Sequence, residues 1–357
     1  SWRAFAAAGA LAGLAHLTRA DGVLLAALAA ALPGWACRRR GGDRWRQAAL
    51  ASAAAAAAYL LVMASWMWRN LLVIGRPLPS AGLQAAFLQD YDDLFAYGRT
   101  LSLQSYLAWG WGHILRAKAE ALWLNGQTAV AVWMQVFAAP LAAAGAWRFR
   151  RVASVQVAAL YALLLYGSMS LVFSAAGPRG SLFHSGAALL PFLYAWVGPG
   201  LEAAVQWASR WRRHWEVGTA CRVFSVGLLI LSALFSLGVY AEAVWGGGEA
   251  EPWNARDALY PQVADWLDSQ AAPADRLMVV NAPAFFYFSG RPCLSIPNEP
   301  VETVLAAADR YGVRYLLLER NHPWPLERLY EGSDAHPRLQ PVARWDGAVL
   351  LEILPAG

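Results

Sequence analysis

Residues 47–68 read QAALASAAAAAAYLLVMASWMW, a run without a charged side chain. A helix needs about 20 apolar residues to cross the hydrocarbon core of a bilayer, so this run predicts a transmembrane helix. Other apolar stretches lie on both sides of it, at 4–18, 22–36, 128–146, 152–175, 183–200 and 223–245. The sequence therefore predicts a multi-span α-helical membrane protein with about seven apolar segments. The first two stretches are short, and we expect them to form a helical hairpin with a polar tip at one membrane face.

The basic residues are distributed unevenly between the connecting segments. Twelve arginines fall within the 37 residues of loops 37–46, 147–151 and 201–222, whereas seven Lys or Arg fall within the 69 residues of loops 19–21, 69–127 and 176–182. Short loops rich in Lys and Arg stay in the cytoplasm. We therefore expect the hairpin tip, the 69–127 loop and the C-terminal domain to lie outside. A single lysine, Lys118, among 29 basic residues is typical of a GC-rich bacterial genome, so the predicted location is a bacterial inner membrane.

The composition excludes an ordinary soluble protein. Hydrophobic residues make up 58% of the chain and charged residues only 15%, against about 25% charged residues in soluble domains. The net charge of +5 comes mostly from the predicted cytoplasmic loops, so nucleic acid is not expected as a partner. Cys37 and Cys221 are predicted to be cytoplasmic and Cys293 to be alone outside. We therefore expect no disulfide, no metal site and no cofactor.

The composition changes at Gly246–Gly248, which we expect to be a flexible joint. Residues 1–245 are predicted to form a transmembrane helical domain, and its outer loop 69–127 to carry short amphipathic helices in the membrane interface. Residues 246–357 are predicted to form a small extracytoplasmic α/β domain. Its predicted strands are 276–281, 313–319, 340–345 and 348–353, and its predicted helices are 258–270 and 301–311.

The order strand, helix, strand in this domain predicts a parallel pair. Asp346-Gly347 is typical of a hairpin turn between the last two strands. No glycine-rich loop follows the first strand, where Asn281-Ala282-Pro283 stands instead. Nucleotide binding is therefore not indicated.

The polar tip of the hairpin, Thr18-Arg19-Ala20-Asp21-Gly22, is the sharpest local feature of the sequence. Charges between two apolar helices are costly unless they are paired or used. Arg19 could contact the phosphate of a lipid, because a guanidinium group matches phosphate oxygens, and Asp21 would orient it. The alternative is a polar turn in which Asp21 caps the second helix and Arg19 extends to water.

Two further outer segments carry basic side chains at helix ends. Arg69 and Asn70 lie at the end of the third stretch, where they either face a phosphate or anchor the helix. Arg179 and His184 flank the start of the sixth stretch. A helix N-terminus favours an anion there, and a histidine titrates near neutral pH. The alternative is a flexible turn with an interfacial histidine.

The acidic residues of the outer loop are clustered at Asp90, Asp92 and Asp93. An outer carboxylate could act as a general base on an acceptor hydroxyl, or the cluster could be a solvated part of the loop. His16 lies within the first apolar stretch. We expect it to be buried and hydrogen-bonded rather than to act as a ligand.

Residues 13–22, GLAHLTRADG, resemble the G-L-A-x-L-T-R-x-D-G segment of bacterial GT-C-type glycosyltransferases. These enzymes are polytopic relatives of protein mannosyltransferases and of the aminoarabinose transferase of lipid A. Arg69-Asn70 with Gly75-Arg76-Pro77 resembles their R-N-x-x-x-x-G-x-P segment, and residues 179–191 resemble the entry to one of their late helices. The small outer α/β domain after the last apolar stretch fits as well.

The resemblance implies sugar transfer from a polyprenyl-phosphate donor to an acceptor on the outer face of the membrane. Basic residues would stabilise the departing phosphate, where negative charge develops. The implied partners are this lipid-linked donor, membrane lipids and an acceptor that the sequence does not specify. The implied lipid-phosphate site consists of Arg19, Asp21, Arg69, Asn70, Arg179 and His184.

The catalytic acid of these enzymes has no counterpart in the sequence. In the family it lies in the first outer loop, after the first transmembrane helix, and Asp90, Asp92 and Asp93 are not at the matching position. The sequence begins at Ser1 and enters an apolar helix almost at once. We therefore expect the C-terminal part of such an enzyme, inactive by itself, with its catalytic residue unassigned.

Two other functions remain open. A non-catalytic membrane scaffold would use the outer α/β domain to bind a partner and would tolerate alanine at Arg19, Asp21 and Arg69. A transporter would need ionisable residues inside its spans or broken helices in two similar halves, and the sequence shows neither.

Overall fold

The computed structural model describes residues 1–39, 44–79, 81–212, 214–245, 255–272 and 274–355. The glycine joint predicted at 246–248 lies outside the described residues. The chain divides into two compact units. The first consists of Ser1–Tyr91 and Leu101–Leu231, and the second of Asp92–Thr100 and Ser232–Gly357.

The first unit is built from helices. They are α1 (Trp2–Thr18), α2 (Gly22–Arg39), α3 (Trp45–Ile74), α4 (Ala81–Gln84), α5 (Leu103–Ala108), α6 (Trp111–Gln127), α7 (Ala138–Arg148), α8 (Ala153–Gly167), α9 (Leu182–Ser185), α10 (Leu190–Ser209) and α11 (Val217–Trp245), the last of which extends into the second unit. Segments of π-helix follow some of them, at Thr128–Trp133, Ser168–Val172 and Gly177–Ser181.

Within the described residues, three helices are long and apolar enough to cross a membrane: Trp45–Ile74, Ala153–Val172 and Val217–Trp245. The number rises to five if each of two bent helix pairs counts as one span. These pairs are Trp111–Trp133 with Ala138–Arg148, bent by 95°, and Gly177–Ala188 with Leu190–Ser209, bent by 69°. The apolar helices indicate a membrane protein, but the predicted seven spans are not confirmed.

The fourth and sixth apolar stretches are broken and the first two form short helices, which together explain the lower count. Gln135 and Val136 have positive φ angles of 49° and 62°, so the helix cannot continue through 128–146. The helix that follows, α7, has 11 residues and is about 16 Å long, well short of the ~30 Å hydrocarbon core. The stretch 183–200 is likewise divided, because α9 ends at Ser185 and α10 begins at Leu190.

The hairpin expected from the first two stretches is present, and glycines bring its first helix against α3. A Cβ atom at Gly9 would lie 2.0 Å from the carbonyl oxygen of Ala55, and one at Gly13 would lie 3.2 Å from that of Tyr59. Residue numbers rise together along the two helices, so α1 and α3 are parallel. The end of α1 and the end of α3 therefore lie at the same end of the helical unit.

The second unit contains a five-stranded mixed sheet with the strand order β2-β1-β3-β5-β4. Its strands are β1 (Arg276–Val279), β2 (Cys293–Ser295), β3 (Val313–Glu319), β4 (Leu339–Trp345) and β5 (Ala348–Ile353), and its helices are α12 (Ala255–Gln270), α13 (Ala282–Ser289), α14 (Val301–Tyr311) and α15 (Glu327–Glu331). Both neighbours of β1 are parallel to it, whereas β5 pairs antiparallel with β3 and with β4.

The sequence predicted four of these strands and two of these helices to within three residues. The parallel pairing of the first two predicted strands, now β1 and β3, is confirmed. Gly347 adopts a φ of 72° in the turn between the last two strands, as the Asp-Gly pair predicted. The prediction missed α13 and β2, which lie between β1 and α14, and the short helix α15 between β3 and β4.

Strand β3 is the centre of this unit because both of its faces are covered. Leu316 and Leu318 pack on one side with Met278, while Leu317 packs on the other side with Tyr260. Such a strand shows a continuous apolar run rather than an alternating pattern. This is why the segment VRYLLLE was recognisable as a strand in the sequence.

The second unit includes a piece of the 69–127 loop, at the end of β2. The backbone N–H of Asn298 donates to the carbonyl oxygen of Phe95 at 3.0 Å, and the N–H of Gly98 donates to the carboxylate of Glu299 at 2.9 Å. The Tyr97 hydroxyl donates to the carbonyl oxygen of Ser295 at 3.3 Å. Residues 92–100 are therefore a structural part of the α/β unit, although Tyr97 and Gly98 lie 198 and 201 positions before their partners in the sequence.

A surface ion pair should make this unit sensitive to acid. Arg338 donates two hydrogen bonds to the Asp309 carboxylate, at 2.6 and 3.0 Å, and these bonds lower the pKa of Asp309 below its ordinary value of about 4. The stabilisation is therefore complete above that ordinary value and is lost as the pH falls through the lowered pKa. We expect Asp309→Asn to unfold at a lower temperature than the wild type at pH 7, with the difference shrinking toward pH 2.

Thermal unfolding of both proteins at the two pH values would measure this effect. A difference that grows as the pH falls would contradict the assignment. Glu331→Gln, an exposed carboxylate of α15, serves as the control for a general change in charge.

Candidate functional site

The two charged residues of the hairpin tip, Arg19 and Asp21, form an ion pair with each other. Arg19 follows the last residue of α1 in an extended conformation, and its Nε donates to Oδ1 of Asp21 at 3.1 Å. The Arg19 side chain is 44% exposed and that of Asp21 is 12% exposed. Asp21 thus orients Arg19, as the sequence suggested. An exposed pair of this kind adds little stability and leaves other guanidinium N–H groups open to a ligand.

A second contact joins the hairpin tip to the entry of the late helix. A terminal guanidinium N–H of Arg19 donates to Oγ of Ser185 at 3.3 Å, across 166 residues of sequence. Ser185 is buried, and its hydroxyl donates to the carbonyl oxygen of Ser181 at 2.8 Å. Tyr161, buried on α8, also interacts electrostatically with Arg19 and Asp21. The hairpin tip and the entry to the late helix therefore meet at Arg19.

Arg179 and His184 lie on the same short segment as Ser185, and both are exposed. The Arg179 guanidinium lies 6.0 Å from the ring centre of Tyr91, at the outer limit of a cation–π contact. The His184 imidazole packs edge-on against Phe183, with ring centres 5.0 Å apart. Gly180, with a φ of 107°, makes the turn between them that other residues rarely adopt. Two cationic or titratable groups therefore stand at the surface beside the Arg19 contact.

Arg69 and Asn70 are at the same end of the helical unit but make local contacts. Arg69 donates to Oδ1 of Asn70 at 3.1 Å, and its guanidinium lies 5.2 Å from the ring centre of Trp66. Asn70 is 1% exposed, and its Nδ2 donates to the carbonyl oxygen of Pro77 at 3.3 Å. Asn70 therefore fastens the chain after α3, which is a structural role, while Arg69 remains exposed.

The parallel arrangement of α1 and α3 sets the relative position of the three arginines. Arg19 follows the end of α1, Arg69 lies in the last turns of α3, and Arg179 belongs to the segment that reaches Arg19 through Ser185. All three are at one end of the first unit. Among the contacts that these three arginines make within the described part of the chain, the hydrogen bond from Arg19 to Ser185 joins two of the predicted site segments.

The acidic cluster of the 69–127 loop does not act as one group. Asp90 belongs to the first unit, whereas Asp92 and Asp93 belong to the second. Asp93 is 5% exposed and forms an ion pair with Arg99 at 2.5 Å. This pair is a structural element of the 92–100 segment.

His16 is hydrogen-bonded as predicted, since its Nδ1 lies 2.6 Å from the hydroxyl of Tyr59 and its ring stacks on the same side chain. It is half-buried rather than buried.

Helix α6 contributes polar residues that the sequence analysis did not select. Nδ2 of Asn125 donates to Oγ of Ser170 at 2.9 Å and to the carbonyl oxygen of Met169 at 3.3 Å, and Lys118 donates to the carbonyl oxygen of Leu171. These groups lie where α8 passes into π-helix and its carbonyls lose their usual partners. Polar side chains of a neighbouring helix commonly satisfy such carbonyls in membrane proteins.

The break between α6 and α7 was also missed, although the sequence holds a signal for it. Pro140 lies in the first turn of α7, and Pro191 lies at the second position of α10. Proline is favoured in the first turn of a helix and disfavoured inside one. The two prolines therefore mark helix starts, and with them the two bends that reduce the number of straight spans.

Comparisons with known proteins give no match: no family model fits the sequence, and no curated protein or solved structure is detectably similar. Within the described residues, no group of three or more His, Cys, Asp or Glu side chains is placed to hold a metal ion. The functional interpretation therefore depends on the geometry around Arg19 and on the short motifs.

Proposed function

We propose that this chain is a membrane glycosyltransferase, or the C-terminal part of one, that takes a sugar from a polyprenyl-phosphate donor on the outer face of the membrane. The observation that supports the proposal is the hydrogen bond from Arg19 to Ser185. It joins the hairpin tip to the segment that carries Arg179 and His184. These are the segments that resemble motifs of the GT-C-type enzymes.

The chemistry of these side chains suits a phosphate group. Arg19 is already oriented by Asp21, whose side chain is only 12% exposed, so the guanidinium group is held in place before a ligand binds. A hydrogen bond between charged partners contributes about 1.5–3 kcal/mol. Arg179 and a protonated His184 would add positive charge at the surface beside it. Such an arrangement stabilises a phosphate that leaves with growing negative charge.

Binding of a polyprenyl monophosphate to the full chain in lipid nanodiscs tests the proposal. We expect Arg19→Gln to weaken this binding by roughly 10- to 100-fold, because the lost contact is a charged hydrogen bond. The control is Arg3→Gln, since Arg3 is an exposed arginine at the opposite end of the same helix. Equal affinities for the wild type and both variants would contradict a lipid-phosphate site at Arg19.

A second candidate function is a non-catalytic scaffold whose outer α/β unit binds a partner. The observation in its favour is the exposure of large aromatic residues on that unit, with Tyr287 and Trp324 each 82% exposed. Exposed aromatic residues are enriched at protein interfaces. In this case Arg19→Gln would leave the cellular activity intact, and Tyr287→Ala with Trp324→Ala would abolish it.

A further inference from the structure

Trp133 has a buried hydrogen-bond donor without an acceptor. It ends the π-helical segment Thr128–Trp133, is 7% exposed, and its Nε1–H finds no partner in the protein. The indole N–H can only donate. A buried donor that stays unpaired loses its hydration and destabilises the fold, so a ligand oxygen or a water molecule is expected to fill this place.

The position of this N–H is next to the Arg19 contact. A Cβ atom at Gly186 would lie 1.8 Å from Cζ2 and 2.2 Å from Cε2 of Trp133. These atoms and Cη2, at 2.6 Å, belong to the six-membered ring of the indole, so this ring packs against Gly186, and Nε1 is bonded directly to Cε2. Gly186 directly follows Ser185, whose hydroxyl accepts the hydrogen bond from Arg19. The Arg19 side chain contacts Ser185 and the Trp133 side chain packs against Gly186, so both lie beside the same turn of the chain.

The helix break holds Trp133 in this place. Val136 adopts a φ of 62°, a region that β-branched residues avoid, and its N–H donates to the carbonyl oxygen of Val130 at 2.8 Å. A strained backbone of this kind persists only where the surrounding structure fixes it, and it is frequent at binding sites. The same break turns the chain between α6 and α7.

We propose that the Trp133 N–H and the Arg19 guanidinium donate to one ligand, a phosphate group of a polyprenyl phosphate. This inference rests on the proposed function and adds a residue to its site. Both side chains are donors only, so a ligand that they share must present acceptor oxygens. A phosphate offers several, whereas the alcohol of a free polyprenol offers one. Trp133 would thus help the site to select the phosphorylated lipid.

The test compares Trp133→Phe with the wild type, because phenylalanine keeps an aromatic ring and removes the N–H. Three probes are titrated into the full chain in nanodiscs: a polyprenyl monophosphate, the corresponding polyprenol and inorganic phosphate. We expect roughly tenfold weaker binding of the lipid phosphate and unchanged binding of the polyprenol. A parallel loss for inorganic phosphate would support a contact with the phosphate itself. The control is Trp123→Phe, since Trp123 is 68% exposed on α6.

A spectroscopic measurement keeps the test independent of protein stability. In the wild type labelled with ¹⁵N-tryptophan, the polyprenyl monophosphate should shift the indole N–H signal that Trp133→Phe removes. Bound lipid phosphate without this shift would overturn the proposal. If Trp133→Phe binds as the wild type does while Arg19→Gln does not, Trp133 has no part in the site and the proposed function stands. If both variants bind as the wild type does, both proposals fall.

Discussion

Replacing Gly145 with leucine is expected to separate α7 from α10 and to destabilise the first unit by about 3 kcal/mol, at the upper end of the usual cost of overpacking. A Cβ atom at Gly145 would lie 1.9 Å from the carbonyl oxygen of Trp196, and a Cβ atom at Gly200 would lie 1.8 Å from that of Leu141. Both obstacles are backbone atoms, which cannot turn away as a flexible side chain can. The two helices therefore have to move apart, and the packing around them is lost.

Gly227→Leu is the control for this prediction. Gly227 lies on α11, within the first unit, and nothing is within 4 Å of the position of its Cβ atom. Leucine also favours a helix by roughly 0.8 kcal/mol over glycine, so this variant should unfold at the same or a higher temperature. Size-exclusion chromatography with fluorescence detection, after heating in detergent, would give the melting temperatures of the wild type and of the two variants. Equal melting temperatures for Gly145→Leu and the wild type would show that the close approach of the helices is not needed.

Replacing Leu316 with alanine should destabilise the second unit by about 2–5 kcal/mol. Leu316 is fully buried in the middle of β3, where it packs in one core with Met278 and Leu351. Truncation removes three carbon atoms from a strand that is covered on both faces, so no water can enter to compensate. The cavity would open at the centre of the sheet, where the neighbouring strands cannot readily collapse.

Proteolysis of the full chain at increasing urea concentrations would measure this loss. Cleavage within the second unit should begin at a lower urea concentration in Leu316→Ala than in the wild type. Trp324→Ala removes a larger side chain that is 82% exposed, and cleavage of this variant should begin at the same urea concentration as in the wild type. A shift of the same size in both variants would mean that burial at β3 does not determine the stability of the unit.

The elements that the sequence predicted best are those whose pattern is decided locally. Strand β3 and helix α14 were predicted with their observed ends, because a run of apolar residues and a helical period are visible without the rest of the chain. Strand β2 has three residues and pairs only with β1. Three residues are too short for an apolar or alternating pattern, so the strand is visible only through its pairing with β1.

The candidate site was predicted in part for a similar reason. Arg19, Arg69 and Arg179 stand out as charges beside apolar helices, but the hydrogen bond from Arg19 to Ser185 joins residues 166 positions apart. Such a pairing follows from the packing of helices and not from either segment. Trp133 is one of 19 tryptophans, and only its burial and its unpaired N–H distinguish it from those expected at a membrane interface.

The α/β unit is discontinuous in the gene, since the stretch that completes its edge is encoded long before the rest. A recombination event that joined the coding sequence for residues 255–355 to another membrane anchor would deliver a sheet without the partner of Asn298 and Glu299. The Glu299 carboxylate and the Asn298 amide would then turn to solvent. Because residues 92–100 are encoded within the helical part of the gene, the complete α/β unit can be passed on only together with that part.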